Sequence, residues 1–202
     1  MPARLLGIHG LKGSGKNSVV SILGRYMPPF REFSFGDKLK RIASETFEVP
    51  LEMFHRVDLK EVVMPEVGKS PREMLTSLAD ALKWKYGDDF FARGLAPRWR
   101  DAKAAGKDLV VVDVRHKEER EALRACNGVL LHVVRPSGAP YALSPHISER
   151  GLEVGQGDYT IMNIGDKLDL VHLTRSFILQ WRGPASLDPY PYVPTDTSNL
   201  WF

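Results

Sequence analysis

Residues 10–17, Gly10-Leu11-Lys12-Gly13-Ser14-Gly15-Lys16-Asn17, constrain this chain more than any other stretch. Glycines at 10, 13 and 15 with a lysine at 16 come close to the pattern of a phosphate-binding loop. The flanks fit such a loop. Arg4-Leu5-Leu6-Gly7-Ile8-His9 is a short, mainly apolar strand candidate, and Val19, Val20, Ile22 and Leu23 supply the apolar face of a following helix. A strand that feeds a helix through glycines aims backbone N–H groups and the positive end of the helix dipole at one point, where an anion binds. Glycine lets phosphate oxygens approach the backbone, and the Lys16 ammonium has the reach to meet the β- and γ-phosphates of a nucleoside triphosphate. A serine or threonine normally follows that lysine as a magnesium ligand; here Asn17 takes the place and Ser18 comes next.

The remaining pattern alternates strands and helices. Residues 31–35 read as a second short strand, followed by a helix over 37–47 with Leu39, Ile42, Ala43 and Phe47 on one side. From 49 to 106 the pattern is helical without strands, and Ser70-Pro71-Arg72-Glu73 opens one helix with an N-cap, an N1 proline and early acidic charge. Residues 108–114 form an apolar run of the kind buried on both faces of a parallel sheet. A helix carrying Glu118, Glu119, Arg120 and Glu121 follows, then a strand over 129–134 ending at Arg135. Residues 136–157, with three prolines and four glycines, read as a lid loop. A strand over 158–162, a helix over 166–180 and an irregular tail over 182–202 complete the chain. Such alternation predicts an α/β fold with a doubly wound parallel sheet and ligands at the carboxyl ends of its strands. At 202 residues and 43% hydrophobic content the expectation is one domain, 1–202, with a helical insertion over 49–106.

Composition narrows the function classes. No apolar run has the length of a membrane span and the N-terminus lacks the regions of a signal peptide, so a cytosolic protein without membrane partners is expected. Cys126 is the single cysteine, which excludes an internal disulfide and a cysteine-rich zinc site. The six histidines show no ligand-like spacing. A net charge of +3 suits an anionic substrate but is too mild to argue for nucleic acid.

Four groups outside the glycine-rich loop are candidates for chemistry. Asp113 ends an apolar strand, where enzymes with such loops hold magnesium; the alternative is an ordinary loop or cap residue. Arg115, two residues on, is placed to neutralise a phosphoryl group or to pair with Glu118 or Glu119. Asp37 follows the second strand, either facing an acceptor or favouring a helix N-terminus by its charge. Arg72, at a helix start, is a candidate phosphate binder or plain surface charge. Lys38, Lys40 and Arg41 make a basic cluster on a solvated helix face, and Trp84, Tyr86, Phe90 and Phe91 read as core aromatics rather than a base-stacking platform.

In their order, residues 10–18, Phe35-Gly36-Asp37-Lys38-Leu39-Lys40, Ser70-Pro71-Arg72-Glu73-Met74-Leu75, Val112-Asp113-Val114-Arg115 with Glu118 and Glu119, and His146-Ile147-Ser148-Glu149 before Ile161-Met162-Asn163-Ile164-Gly165 resemble the phage deoxynucleoside monophosphate kinases. These belong to the adenylate-kinase-like branch of P-loop kinases. The resemblance spans most of residues 4–180 and implies the three-layer P-loop NTPase fold, a central parallel sheet flanked by helices, with an acceptor-binding insertion and a lid. It implies transfer of the γ-phosphoryl group of ATP to a nucleoside monophosphate with Mg2+. By position, Gly10, Lys12, Gly13, Ser14, Gly15, Lys16, Asn17 and Ser18 would hold ATP, with Asn163 and Gly165 at the adenine edge. Asn17 and Asp113 would serve the metal. Asp37, Lys40, Arg72 and Arg115 would bind the acceptor, and Lys16, Asp37, Asp113 and Arg115 would carry catalysis. Arg135, His146, Glu149 and Arg150 would belong to the lid. The family pattern often has Asp-Thr where this chain has Asn17-Ser18, a change that removes a charge near the metal. The partners expected are ATP and a nucleoside monophosphate, with a homodimer as the assembly considered. DNA enters only under an alternative in which a hydroxyl, such as that of a modified base, is the acceptor and Asp37 the general base.

Overall fold

The computed structural model describes residues 2–56, 58–136 and 151–183. They divide into two compact units, one of residues 1–33 with 96–202 and one of residues 34–95.

The first unit is built on a five-stranded sheet of β1 (Leu5–His9), β2 (Arg31–Phe33), β3 (Leu109–Val111), β4 (Val129–Val134) and β5 (Tyr159–Met162). Its order is β2-β3-β1-β4-β5 and every pairing is parallel. β1 lies at the centre with all its residues buried, which is why it reads as mainly apolar. Gly7 keeps it flat against its cover: a Cβ there would stand 2.6 Å from the Leu123 side chain of helix α6 (Lys117–Ala125). On the other face Leu6 and Ile8 meet α1 (Lys16–Tyr26) through Val19, Ile22 and Leu23, and α7 (Lys167–Arg182) through Leu170, Phe177, Ile178 and Trp181. Helices on both sides of the sheet make the three expected layers.

The second unit is helical: α2 (Phe35–Phe47), α3 (Leu51–His55) and α4 (Pro71–Tyr86), gathered round Ala43, Val49, Phe54 and Met74. α4 begins with the expected cap, a reciprocal pair in which the Glu73 N–H donates to Ser70 Oγ and the Ser70 N–H to the Glu73 carboxylate. α2 groups with the helices of the insertion, and α5 (Leu95–Ala104) falls almost wholly in the first unit.

Several boundaries differ from the sequence expectation. β2 ends at Phe33 rather than residue 35, because Phe35 is the buried first residue of α2; apolar residues at 33 and 35 fit a strand period and a helix start equally. β3 is three residues long rather than seven. Asp108 before it accepts the Arg4 N–H at 2.8 Å and pairs with buried Arg182, while Val112 and Asp113 turn away. That buried ion pair also explains why α7 runs on to Arg182, where the tail had been expected to start. The tail from 184 onward lies outside the described residues. Among the described residues no helix is long and apolar enough to cross a membrane.

Candidate functional site

The carboxyl edge of the parallel sheet collects the site. β1 runs out into Gly10, and the loop turns back through the Ser14 N–H donating to the Leu11 carbonyl at 3.1 Å. Gly15 caps α1 with φ of +100°, a conformation glycine adopts without strain. A Cβ on Gly10 would lie 2.5 Å from both Ser14 Oγ and the Val133 carbonyl, so the first glycine answers a close approach. Lys16 curls over the loop and donates from Nζ to the carbonyls of Gly10 at 2.5 Å and Leu11 at 2.9 Å. Burial pushes its pKa down to about 8, with the Arg115 guanidinium adding to the fall and the Asp113 carboxylate opposing it. Lys16, Asp113 and Arg115 therefore lie within electrostatic reach of one another, as their places after β1 and β3 require.

The turn carrying Asp113 and Arg115 is anchored on three sides. The Val114 N–H donates to the Ile8 carbonyl at 3.1 Å. The Val114 carbonyl faces His9 Nδ1 at 2.8 Å. The carboxylate of buried Glu119 accepts the N–H groups of Arg115 at 2.6 Å and His116 at 3.0 Å, closing the cap of α6. Glu119 thus serves the backbone at Arg115, where the sequence offered only a side-chain ion pair.

Asn163, expected at an adenine edge, is buried and donates from Nδ2 to the Ser14 carbonyl at 2.9 Å, holding the phosphate-binding loop from below. Gly165 leaves room for Asp169, whose carboxylate accepts the Asp166 N–H in the cap of α7. Lys12, Asn17 and Ser18 are exposed, as is Arg135 after β4. His146, Glu149 and Arg150 lie outside the described residues.

Within the second unit the structure brings Asp37 and Lys40 together at 2.8 Å in the first turns of α2. Burial raises the Asp37 pKa, but the Lys40 hydrogen bond and charge, with Ser34 and His55, outweigh it and hold the carboxyl below its ordinary range. His55 is itself lowered, by burial first and then by Lys40 and Lys60 against Asp37. Arg72 pairs with Glu61 at 2.6 Å, and its N–H donates to the Lys60 carbonyl. His55 was not legible as a neighbour of Asp37 and Lys40, since its approach to them depends on how α2 and α3 pack.

His9 is the other residue that sequence reasoning missed. It stands directly opposite His132 in the β1–β4 register, and the two rings meet edge to face at 5.3 Å. Two histidines more than a hundred positions apart look scattered until the register is known.

A glycine-rich loop between a central parallel strand and a helix, with a lysine over it and a carboxylate and an arginine beside it, defines a nucleotide-binding P-loop protein of the kinase class. A sequence profile of the deoxynucleotide monophosphate kinases matches residues 70–173, just over half of the chain. The chain belongs to that family. No curated protein matches it in sequence. Among solved structures it resembles TT1252 from Thermus thermophilus, at 19% identity over 90% of this chain and 99% of that one with a TM-score of 0.49. A sugar kinase from Janibacter sp. HTCC2649 gives 16% identity, 89% and 94% coverage and a TM-score of 0.48. Dephospho-CoA kinase from Campylobacter jejuni gives 14%, 88%, 97% and 0.47. These likenesses are remote, and membership rests on the profile match.

Proposed function

We propose that the chain is an ATP-dependent deoxynucleoside monophosphate kinase, moving the γ-phosphoryl group of ATP to a dNMP to give dNDP and ADP. The observation that carries this reading is the convergence of Lys16, Asp113 and Arg115 beside a loop of backbone N–H groups at the carboxyl edge of the sheet. Phosphoryl transfer asks for positioning and charge neutralisation rather than covalent chemistry, and this set supplies both. The loop amides and Lys16 bind the donor phosphates; Lys16 trades its two carbonyl partners for phosphate oxygens and gains a counter-charge for its partly buried ammonium. Arg115 draws negative charge on the transferring group.

The donor atoms suit magnesium: a carboxylate at Asp113 with the side chains of Asn17 and Ser18 is an all-oxygen set. When bound, the ion would neutralise charge on the β- and γ-oxygens.

From the second unit Asp37, Lys40 and Arg72 are assigned to acceptor recognition by their motifs. An Asp37 held ionised by Lys40 is a poor general base, which favours a phosphate acceptor over a hydroxyl. Labelled ATP offered with deoxynucleoside monophosphates, nucleosides and DNA tests the proposal through the identity of the labelled product. Label in a dNDP is expected, with Asp37→Asn raising the acceptor KM and leaving the pH profile intact. Label in DNA or a nucleoside, or loss of the acid limb of the pH profile in Asp37→Asn, would overturn it in favour of the hydroxyl acceptor.

A further inference from the structure

His9 is the last residue of β1 and precedes the first glycine of the phosphate-binding loop. It is buried, and both ring nitrogens are committed. Leu152 donates its N–H to Nε2 at 3.0 Å, so Nε2 acts as an acceptor. Nδ1 must then carry the proton, and it donates to the Val114 carbonyl at 2.8 Å. Only one neutral tautomer satisfies both partners. A proton on Nε2 would confront the Leu152 N–H. Burial, with His132, Lys16 and Arg115 nearby, pushes the pKa down to about 4, so that tautomer persists at neutral pH.

Each partner belongs to a different part of the site. Val114 sits between Asp113 and Arg115. Leu152 lies at the foot of the expected lid, where Arg120 also donates to the Glu153 carbonyl at 3.0 Å. Asp158 closes the far end of that foot. It accepts the Gly155 N–H at 2.7 Å and pairs with Arg124 at 3.2 Å and with His132 Nε2 at 3.2 Å. The histidine pair therefore joins the start of the loop, the Asp113–Arg115 turn and residues 151–158.

We infer that His9 is a positioning residue for phosphoryl transfer: its Nδ1–H sets the Asp113–Arg115 turn against the start of the phosphate-binding loop, and its Nε2 ties Leu152 to the same point. The inference rests on the kinase reading above. His9 touches no phosphate itself; it acts through Val114.

Substitution separates the two bonds. Asparagine places an amide N–H near the position of Nδ1 and keeps the Val114 bond. Glutamine places an oxygen near Nε2 and keeps the Leu152 bond. In the full chain, His9→Ala should lower kcat at saturating ATP and acceptor by roughly ten- to a hundredfold, the scale of a misplaced catalytic group. ATP affinity in a direct titration should move far less than kcat. His9→Asn should recover most of the lost rate. His9→Gln should restore slow amide exchange at Leu152 without restoring the rate. A folded His9→Ala with the parent's kcat, or His9→Asn no better than alanine, would overturn the inference. Hydrogen exchange over 112–116 gives an independent reading: it should quicken in His9→Ala and return to the parent's rate in His9→Asn, and unchanged exchange in alanine would refute the coupling. Should alanine fail to fold, the asparagine–glutamine comparison still decides. If the parent transfers phosphate to no nucleoside monophosphate, the kinase reading fails, and the exchange measurements still decide whether His9 holds the turn.

Discussion

Nucleotide affinity should depend on pH through one side chain, Lys16. In the free loop its pKa lies at about 8, and the ordinary lysine value is 10.5. Triphosphate oxygens replacing the Gly10 and Leu11 carbonyls give the ammonium a counter-charge and return its pKa at least to the ordinary value. The bound form then holds a proton that the free form loses above pH 8, so binding takes up a proton and affinity must fall as pH rises. With those two values affinity weakens by about tenfold between pH 7 and pH 9 and levels off near the bound-state pKa. His9, with a pKa near 4, and His132, lowered by burial, stay neutral throughout and contribute nothing. The phosphate ester, with its second pKa at about 6, is ionised over the same range. Calorimetric titration with a non-hydrolysable ATP analogue at constant ionic strength gives the profile. Lys16→Arg, whose guanidinium keeps its charge, should bind more weakly but with a flat profile. A parent affinity that stays level to pH 9, or the same fall in Lys16→Arg, would refute the reasoning.

Asn163→Ala removes the buried amide that holds the Ser14 carbonyl, so about 1–3 kcal/mol of stability should be lost, with weaker ATP binding; urea unfolding and nucleotide titration check the two effects. Asp108→Ala takes away the carboxylate shared by the buried Arg182 guanidinium and the Arg4 N–H, and about 3–5 kcal/mol should go with it. A urea midpoint near the parent's would show that the pair adds little.

The phosphate-binding loop was legible because its signal is local: glycine spacing, a lysine and an apolar strand before a helix lie within one short stretch. Asp113 and Arg115 were legible for a related reason, since a strand end in a parallel sheet has a known place. Asp108 misled, as a carboxylate before an apolar run extends a strand pattern without showing that Arg182 will claim it. Asn163 could be placed after the last strand, but its bond to Ser14 spans the sheet and leaves no trace in spacing. His9 and His132 become a pair only through the register of β1 on β4. The residues proposed for chemistry are marked by local pattern, and those that hold them in place are set by contacts between distant segments.

The central strand has a further bearing on how the chain comes into being. Leu6 and Ile8 are made long before their cover, for the side chains packed on them include Leu170, Phe177, Ile178 and Trp181. At roughly 5–20 residues per second, a ribosome keeps β1 waiting on the order of ten to thirty seconds for that cover. The helical unit of residues 34–95 needs nothing later than its own end for the core of Ala43, Val49, Phe54 and Met74. During synthesis the second unit can close while the nucleotide-binding half still exposes its central strand, so a nascent chain halted before α7 emerges would present a finished helical cluster and an open sheet, a ready target for chaperone or protease.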